Sequence, residues 1–353
     1  MPDDSMGYLT YDAISEKLHD LAPVLRPLGA MSRIIACIGL WQQFDSIRSA
    51  EGPFDRSRFG HYIEQLKCWS ERNNDGGVLN STPEADSRSV EDYTGNLYAQ
   101  CWVAYDDEQF VYTTTFFEGR LRNNGFGPKL IAGKSCLDAG CGGGRFTLAM
   151  YKMGARRVVG VDLSPDAVAD GARRRDGLGI SSDDVEFVSN SLLELPQEWS
   201  DCYDFVCSNG VLHHTTDPKH ALSEVYRVVK PGGDAYIYVY GSGGLHWGLV
   251  DWIRGILHGI DEARVRDVLH LLDLPPGKIF HIMDHWFVPN YEVLTKSAYE
   301  ERLRDVGFTD LVYMPRGLFL YDSSERLYRY PEDADLMGEG DLRYMVHKPL
   351  GDA

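Results

Sequence analysis

A glycine-rich segment preceded by an acidic residue has the clearest chemical meaning in this sequence. The run LDAGCGGGRF at 137–146 leads from a short apolar stretch into a helical pattern. Gly140 and Gly142 let the backbone approach a ligand at dihedral angles that other residues resist. Asp138 would repel a pyrophosphate, and Arg145 stands where the dinucleotide motif has its third glycine. The segment therefore predicts a site for a cationic or amine-bearing cofactor.

A second carboxylate extends this site. Asp162 ends the next apolar run, 22 residues after Gly140, and Leu163 follows it. A carboxylate at such a strand end can accept hydrogen bonds from both hydroxyls of a ribose. The two motifs together predict that the cofactor contains an adenosine.

Two adjacent histidines, His213 and His214, come shortly after a predicted strand that ends near Asn209. An imidazole with a pKa of about 6.5 can take a proton from an acceptor at neutral pH. Alternatively, one ring hydrogen-bonds its loop and the other packs beneath the cofactor. Asp284 and His285 lie in the stretch IMDHWFVP, which either lines an acceptor pocket or forms a packed loop.

The elements that must position these residues indicate an α/β fold. From residue 131 onward, short apolar runs alternate with helical stretches, which is typical of βαβ units and a parallel sheet. The predicted strands are Ser135–Ala139, Arg157–Asp162, Val185–Val188, Tyr203–Ser208 and Ala235–Tyr240. An insertion at 241–300 follows the fifth strand and contains a helical stretch near Val250 to Leu272.

The first part of the chain has a different character. Residues 1–94 carry helical patterns and then a segment, 73–94, rich in Asn, Asp, Gly, Ser and Pro, which favours a linker. We therefore predict two units, a helical N-terminal extension with its linker at 1–94 and a cofactor-binding domain at 95–353.

The amino-acid composition limits the kinds of molecule that the protein can bind. The 353 residues include 35 Lys and Arg against 53 Asp and Glu, and a formal charge of -18 repels nucleic acid and anionic lipid surfaces. The N-terminal residues lack the basic and apolar regions of a secretory signal, and no apolar run approaches the roughly 20 residues that span a bilayer. Seven cysteines without a C-x-x-C pair favour neither a disulfide framework nor a metal site. We expect a cytoplasmic protein without a bound metal, nucleic-acid partner or membrane association.

Five motifs in order resemble the class I S-adenosylmethionine-dependent methyltransferases of the small-molecule kind. They are LDAGCGGGRF, GVDLS, VEFVSNSLLELP, YDFVCSNGVLHHTTDP and RVVKPGG. The resemblance covers residues 131–240 and implies a Rossmann-like, seven-stranded, mostly parallel sheet with helices on both faces. Strands at Asp310–Met314 and Leu342–His347 would complete it, one of them antiparallel. It also implies S-adenosylmethionine as cofactor, a small-molecule acceptor, and a homodimer by analogy.

The resemblance assigns roles residue by residue. Asp138, Gly140 and Gly142 would lie near the methionine part, Asp162 on the ribose and Leu163 on an adenine face. Asn190 and Ser191 stand where the family usually has Gly-Asp, so an uncharged group would meet the adenine amine. The remaining cofactor-binding candidates are Asn209, whose carbonyl would meet the cofactor amino group, and Tyr98, Trp102 and Arg120, which with Tyr112 would cover the sulfonium. The candidate catalytic residues are His213, His214, Asp284, His285 and Tyr112.

Methyl transfer by in-line displacement is the leading hypothesis, and two alternatives stay open beside it. The bond broken could lie in the aminocarboxypropyl arm, with release of methylthioadenosine, as in azetidine-2-carboxylate synthases on this fold. The chain could also be a scaffold protein that retains the cofactor fold without catalysis. The adenosine product distinguishes the first two, and cofactor affinity tests the third.

Overall fold

A seven-stranded sheet forms the centre of the structure. The computed structural model describes residues 10–72, 89–103 and 105–351. The strands are β1 Ser135–Ala139, β2 Arg157–Asp162, β3 Val185–Ser189, β4 Tyr203–Asn209, β5 Val229–Tyr240, β6 Thr309–Tyr313 and β7 Asp341–His347. Their order is β3-β2-β1-β4-β5-β7-β6, in which β1 to β5 run parallel and β7 is antiparallel to both neighbours. The predicted Rossmann-like, mostly parallel sheet is confirmed.

The strand predictions are close because each strand is a short apolar run. β1 and β2 begin and end at the predicted residues, and β3, β4, β6 and β7 differ by one residue at one or both ends. The predicted start of β5 at Ala235 is wrong. Val229 already pairs with Tyr203, and the pairing resumes after a register shift where Asp234 lies opposite Phe205.

Helices cover both faces of this sheet, and further helices of the N-terminal region and of the insertion after β5 pack with one another. In the described residues they are α1 Tyr11–Leu25, α2 Ala30–Arg48, α3 Arg56–Arg72, α4 Val90–Val103, α5 Asp107–Asn123, α6 Arg145–Lys152, α7 Pro165–Gly177, α8 Pro218–Val228, α9 Gly244–Leu257, α10 Glu262–Leu271, α11 Pro276–Phe287, α12 Lys296–Asp305, α13 Ser323–Arg329 and α14 Ala334–Met337. Successive strand residues point to opposite faces. Accordingly, Cys136 of β1 packs with α5 and α6, whereas Leu137 packs with α8 and α12.

The N-terminal helices share a third apolar core with the insertion after β5. Buried residues of α1 and α2, such as Ile14 and Trp41, pack in one cluster with Leu249 of α9 and Met283 of α11. Helix α4 runs through residue 94 and adds Leu97 to the same core. The predicted linker falls largely on residues outside the described ranges, and the division of the chain at residue 94 stays a prediction.

The insertion is more helical than its sequence suggests. The predicted helical stretch from Val250 to Leu272 is two helices, α9 and α10, because Asp261 caps a new helix by accepting a 2.7 Å hydrogen bond from the N–H of Ala263. The stretch around Asp284 is helix α11. None of the described helices combines the length and apolar composition needed to cross a bilayer.

Candidate active site

A cavity of about 660 Å³ lies at the carboxyl ends of the parallel strands. The strand order reverses between β1 and β4, and ligands of open α/β sheets bind at such a switch point. The sheet side of the cavity is lined by Gly140, Gly142, Asp162, Leu163, Ser191, Asn209 and Gly210. Its volume is that of a small-molecule site. Most of the cofactor-binding candidates from the sequence therefore lie together at this edge of the sheet.

The glycine loop after β1 is shaped so that its backbone faces this cavity. Gly140 has a φ of 83°, in the left-handed region that favours glycine. A Cβ at Gly140 would also lie 2.4 Å from the side chain of Val211. The N–H of Gly142 donates a 2.8 Å hydrogen bond to Oδ2 of Asp162. The loop and the end of β2 thus form one rigid unit.

Asp162 lines the cavity with its carboxylate held in place. Besides Gly142, the N–H of Ser164 donates to Oδ1 at 3.0 Å. Burial raises the pKa of Asp162, and the hydrogen bonds from backbone N–H groups oppose that shift. Each carboxylate oxygen can accept a further hydrogen bond. This geometry fits a ligand that presents two neighbouring hydroxyls, as a ribose does.

Asp138 lies beneath the loop. It is 2% exposed, is absent from the cavity wall among the described residues, and accepts a 2.7 Å hydrogen bond from the hydroxyl of Thr147. Burial raises the pKa of Asp138 to about 7, although the hydrogen bond from Thr147 opposes this. Thr147 of α6 thus binds the carboxyl away from the cavity wall, and the position of Asp138 near the methionine part of the cofactor stays a prediction.

The two cofactor-binding candidates in the loop after β3 lie in different surroundings. Ser191 lines the cavity, but Asn190 does not among the described residues. The amide of Asn190 donates to the carbonyl of Glu194 at 3.2 Å and accepts from the N–H of Ser191 at 2.9 Å, so it stabilises its own loop. Leu163, 37% exposed, also lines the cavity and offers an apolar face to a flat ring.

Two guanidinium groups stand at the other end of the cofactor side. Arg120 of α5 donates to the Oδ1 of Asn209 at 2.8 Å and to the Tyr236 hydroxyl at 3.1 Å. Its buried Nε has no hydrogen-bond partner in the described part of the chain. Arg145 lines the same wall, and burial together with Arg120 lowers its pKa. Arginines suit a carboxylate, so this end fits the amino-acid arm of a cofactor.

Arg145 was missed by sequence reasoning, which saw it only as a replaced glycine. Its position as the first residue of α6, directly after the glycine loop, is the signal that could have identified it.

The residues predicted to cover the sulfonium are only partly among those that the structure describes. Arg120, Tyr98 and Tyr112 line the cavity, whereas the side chain of Trp102 lies outside the described residues.

The far side of the cavity contains a buried polar group of residues, which we call the polar chamber: Tyr98, His214, Tyr240, Asp284 and His285. Asp284 is at its centre. The Tyr98 hydroxyl donates to Oδ1 and the Tyr240 hydroxyl to Oδ2, both at 2.5 Å. Asp284 and His285 thus line a pocket from helix α11 and not from a loop, and their role toward an acceptor stays a prediction.

His214 has a defined tautomer. Its Nδ1 lies 3.1 Å from the carbonyl oxygen of Asn290, and because a carbonyl only accepts, Nδ1 carries the hydrogen. The buried Nε2 is therefore the lone-pair nitrogen and has no hydrogen-bond partner in the described residues; it lies 3.6 Å from Oδ1 of Asp284. Burial lowers the pKa of His214, and Asp284 opposes this. At neutral pH this nitrogen is a free base.

The other catalytic candidates are less favourably placed. His213 is 2% exposed, packs against Tyr240 with ring centroids 3.9 Å apart, and does not reach this cavity in the described structure. Burial lowers its pKa well below the usual range. Tyr112 is 60% exposed at the rim. The adjacent histidines are thus divided: His214 faces the cavity and His213 packs behind it.

Comparisons with known proteins agree with this site. Residues 137–237 match the family model described as "Methyltransferase domain". The ubiquinone biosynthesis O-methyltransferase of Pseudomonas entomophila (strain L48) is 37% identical over 108 residues, 30% of this chain and 44% of that protein. Its counterpart in Pseudomonas savastanoi pv. phaseolicola is 35% identical over 106 residues, with the same shares. The chain spans less than half the length of these relatives.

Solved structures give more distant likenesses. Burkholderia thailandensis 1,6-didemethyltoxoflavin-N1-methyltransferase, with bound 1,6-didemethyltoxoflavin and S-adenosylhomocysteine, is 19% identical with a TM-score of 0.41 and covers 77% of this chain and 98% of its own. The YcgJ protein from Bacillus subtilis is 17% identical with a TM-score of 0.41, covering 64% and 97%. Residues 137–237 thus match a methyltransferase domain, and the ordered motifs and the strand order agree with the resemblance to the class I S-adenosylmethionine-dependent methyltransferases.

Proposed function

We propose that the protein transfers a methyl group from S-adenosylmethionine to a nucleophilic atom of a small molecule. The observation that carries this proposal is the continuity of the cavity. The glycine loop and Asp162 line one side, and the polar chamber with the free Nε2 of His214 lines the other. A cofactor and a second small molecule can therefore meet inside one enclosure.

The bound cofactor would supply a methyl carbon that its sulfonium makes electrophilic. Asp162 would bind the ribose hydroxyls, and Ser191 and Leu163 would contact the adenine. Arg120 and Arg145 would bind the carboxylate of the amino-acid arm by charge-assisted hydrogen bonds. These contacts at its two ends would fix the orientation of the cofactor relative to the polar chamber. Alignment of the two reactants at about 3 Å is the main catalytic contribution this reaction needs.

His214 would accept the proton of the acceptor. Its Nε2 holds a lone pair, and its Nδ1 hydrogen is fixed on the carbonyl of Asn290. When Nε2 takes a proton, the imidazolium formed lies 3.6 Å from the carboxyl of Asp284, which stabilises the positive charge. Tyr98 and Tyr240 hold Asp284 in this position. We assign His214 the catalytic role and Asp284 a positioning and electrostatic one.

The product identifies the reaction. Purified protein is incubated with S-adenosylmethionine labelled with ¹³C in the methyl group, alone and with the small-molecule fraction of a cell extract. We expect S-adenosylhomocysteine and a labelled acceptor, formed only when extract is present. Accumulation of methylthioadenosine would instead mean that the aminocarboxypropyl carbon is attacked, and no product of either kind would contradict catalysis.

A cytoplasmic location and a homodimer remain part of this proposal, as does the division into an N-terminal extension and a cofactor-binding domain. The apolar core shared by α1, α2, α9 and α11 supports a structural role for the extension, since α2, α9 and α11 each contribute residues to the cavity wall. Sedimentation of the purified protein tests the homodimer directly.

A further inference from the structure

A buried arginine lies on the cavity wall beside helix α11. Arg48, the last residue of α2, is 1% exposed and lines the cavity. Its Nε donates to Oδ1 of Asp45 at 3.0 Å, and its Nη2 donates to Nε2 of His281 at 3.0 Å. Its Nη1 makes no hydrogen bond within the described residues. One arm of this guanidinium is therefore available to a ligand.

The charges around Arg48 do not balance. Lys278 also pairs with Asp45, with Nζ 3.2 Å from Oδ2, so two cations share one carboxylate. Although burial opposes it, Arg48 and Lys278 lower the pKa of Asp45, which stays ionised. The histidines that line this end, His246 and His281, are neutral because burial lowers the pKa of both rings well below the usual range. Arg48 and Asp45 form a largely buried ion pair, and Lys278, whose side chain is 58% exposed, adds a second cation at its edge.

The unused N–H groups on Nη1 of the buried Arg48 would be stabilised by an acceptor that a ligand supplies. A guanidinium matches a carboxylate in shape, with parallel N–H groups directed at two oxygens. Two cations around one carboxylate favour a monoanionic ligand over a neutral one. The cavity wall also includes the rings of Trp247 and Phe280, which suit a flat hydrophobic body.

Contacts between neighbouring side chains connect this end with the proposed base. Arg48 binds His281, and the rings of His281 and His285 have centroids 4.2 Å apart. His285 is 3.7 Å from Asp284, which in turn faces His214. The arginine is thus separated from His214 by the length of the polar chamber. A ligand anchored on Arg48 would present its opposite end to the base.

We infer that the acceptor is an aromatic carboxylic acid whose carboxylate pairs with Arg48 and Lys278 while a separate nucleophilic group reaches His214. The inference rests on the proposed function and specifies its substrate class. The methylated atom is then the distant group and not a carboxylate oxygen, so the product is not a methyl ester.

The test compares two ligands that differ in charge and hardly in shape. Calorimetry measures the binding of 4-hydroxybenzoate and 4-hydroxybenzamide to the full chain saturated with S-adenosylhomocysteine. We expect the acid to bind at least about tenfold more tightly than the amide. Arg48→Met should abolish this preference, and Arg48→Lys should restore part of it. Equal binding of the two ligands to the wild type, or a preference that persists in Arg48→Met, overturns the inference.

A second variant tests the inference even if Arg48→Met does not fold. Lys278 is a surface residue whose side chain is 58% exposed, so Lys278→Ala should fold and weaken binding of the acid severalfold while binding of the amide is unchanged. The exposed Lys219 on α8 provides the matched control, and Lys219→Ala should change neither affinity. An unchanged acid affinity in Lys278→Ala contradicts the inference. Failure of the wild type to bind S-adenosylhomocysteine would instead contradict the proposed function.

Discussion

The hydroxyl of Tyr240, the last residue of β5, donates a 2.5 Å hydrogen bond to Oδ2 of Asp284 in helix α11. Burial and the neighbouring carboxyl raise the pKa of Tyr240 well above its usual range, so the phenol keeps its proton and donates. This bond joins the helical insertion to the carboxyl edge of the sheet. The polar chamber is thereby held against the cofactor side of the cavity by a directional contact as well as by apolar packing.

Asp162→Ala should remove cofactor binding. The substitution deletes the acceptor for two ribose hydroxyls and releases the N–H of Gly142 from the loop. Charge-assisted hydrogen bonds contribute about 1.5 to 3 kcal/mol each, so we expect the Kd of S-adenosylhomocysteine to rise about 100-fold or more. Calorimetric titration measures this. Asp166→Ala, an exposed acidic residue in the first turn of α7, is the matched control, and equal affinities of the two variants would contradict the ribose assignment.

Arg120→Met should discriminate between two ligands of the same site. S-adenosylhomocysteine has a carboxylate for Arg120 to bind, whereas 5′-methylthioadenosine lacks the amino-acid arm. We expect affinity for the first to fall about 10- to 100-fold, and affinity for the second to stay the same. Arg122→Met, an exposed residue two positions on, should affect neither. Equal losses for both ligands would show that Arg120 acts on the fold and not on the carboxylate.

His214→Gln should reduce turnover without loss of cofactor. A positioned general base contributes about 10²- to 10⁴-fold to the rate, and we expect kcat to fall by that amount once an acceptor is identified. Affinity for S-adenosylhomocysteine should be unchanged. His270→Gln, on the exposed side of α10, is the control and should retain full activity. Wild-type turnover in His214→Gln would exclude the proposed base.

Asp284→Asn should shift the pH profile. Burial lowers the pKa of His214, so the acid limb of kcat/KM in the wild type lies below about pH 6.5. The carboxylate of Asp284 favours the protonated ring, and its removal lowers the pKa of His214 further. The acid limb should therefore move to lower pH while kcat decreases. Asp267→Asn, an exposed residue of α10, should leave the profile in place. A profile that does not move would mean that Asp284 has only a structural role.

The sequence predicted the sheet well, and the predicted cofactor residues lie together at one edge of it, because both predictions depend on local patterns. Short apolar runs determine β1 and β2, and the glycines and Asp162 have to follow strand ends to act. Contacts between segments that are far apart in the sequence could not be predicted from local patterns. Asp138 is bound from below by Thr147, Asn190 by its own loop, and His213 is covered by Tyr240.

Arg48 is a residue of the cavity wall that the sequence analysis did not identify, because its position also depends on contacts between distant segments. Nothing in the sequence around α2 distinguishes it from a helix-end arginine paired with Asp45 three residues earlier. Only the packing of α2 against α11 brings it beside His281 and onto the cavity wall. Residues of the acceptor side come from five separate parts of the chain, around Arg48, Tyr98, His214, Tyr240 and Asp284, so local spacing carries no signal for them.

A structure of the complex with S-adenosylhomocysteine tests the central claim most directly. We predict that the ribose hydroxyls bind Asp162, that the carboxylate of the ligand lies at Arg120 and Arg145, and that its sulfur faces His214 across the open chamber. A ligand whose sulfur points away from His214, or a chamber closed off from the cofactor by side chains, would contradict the account.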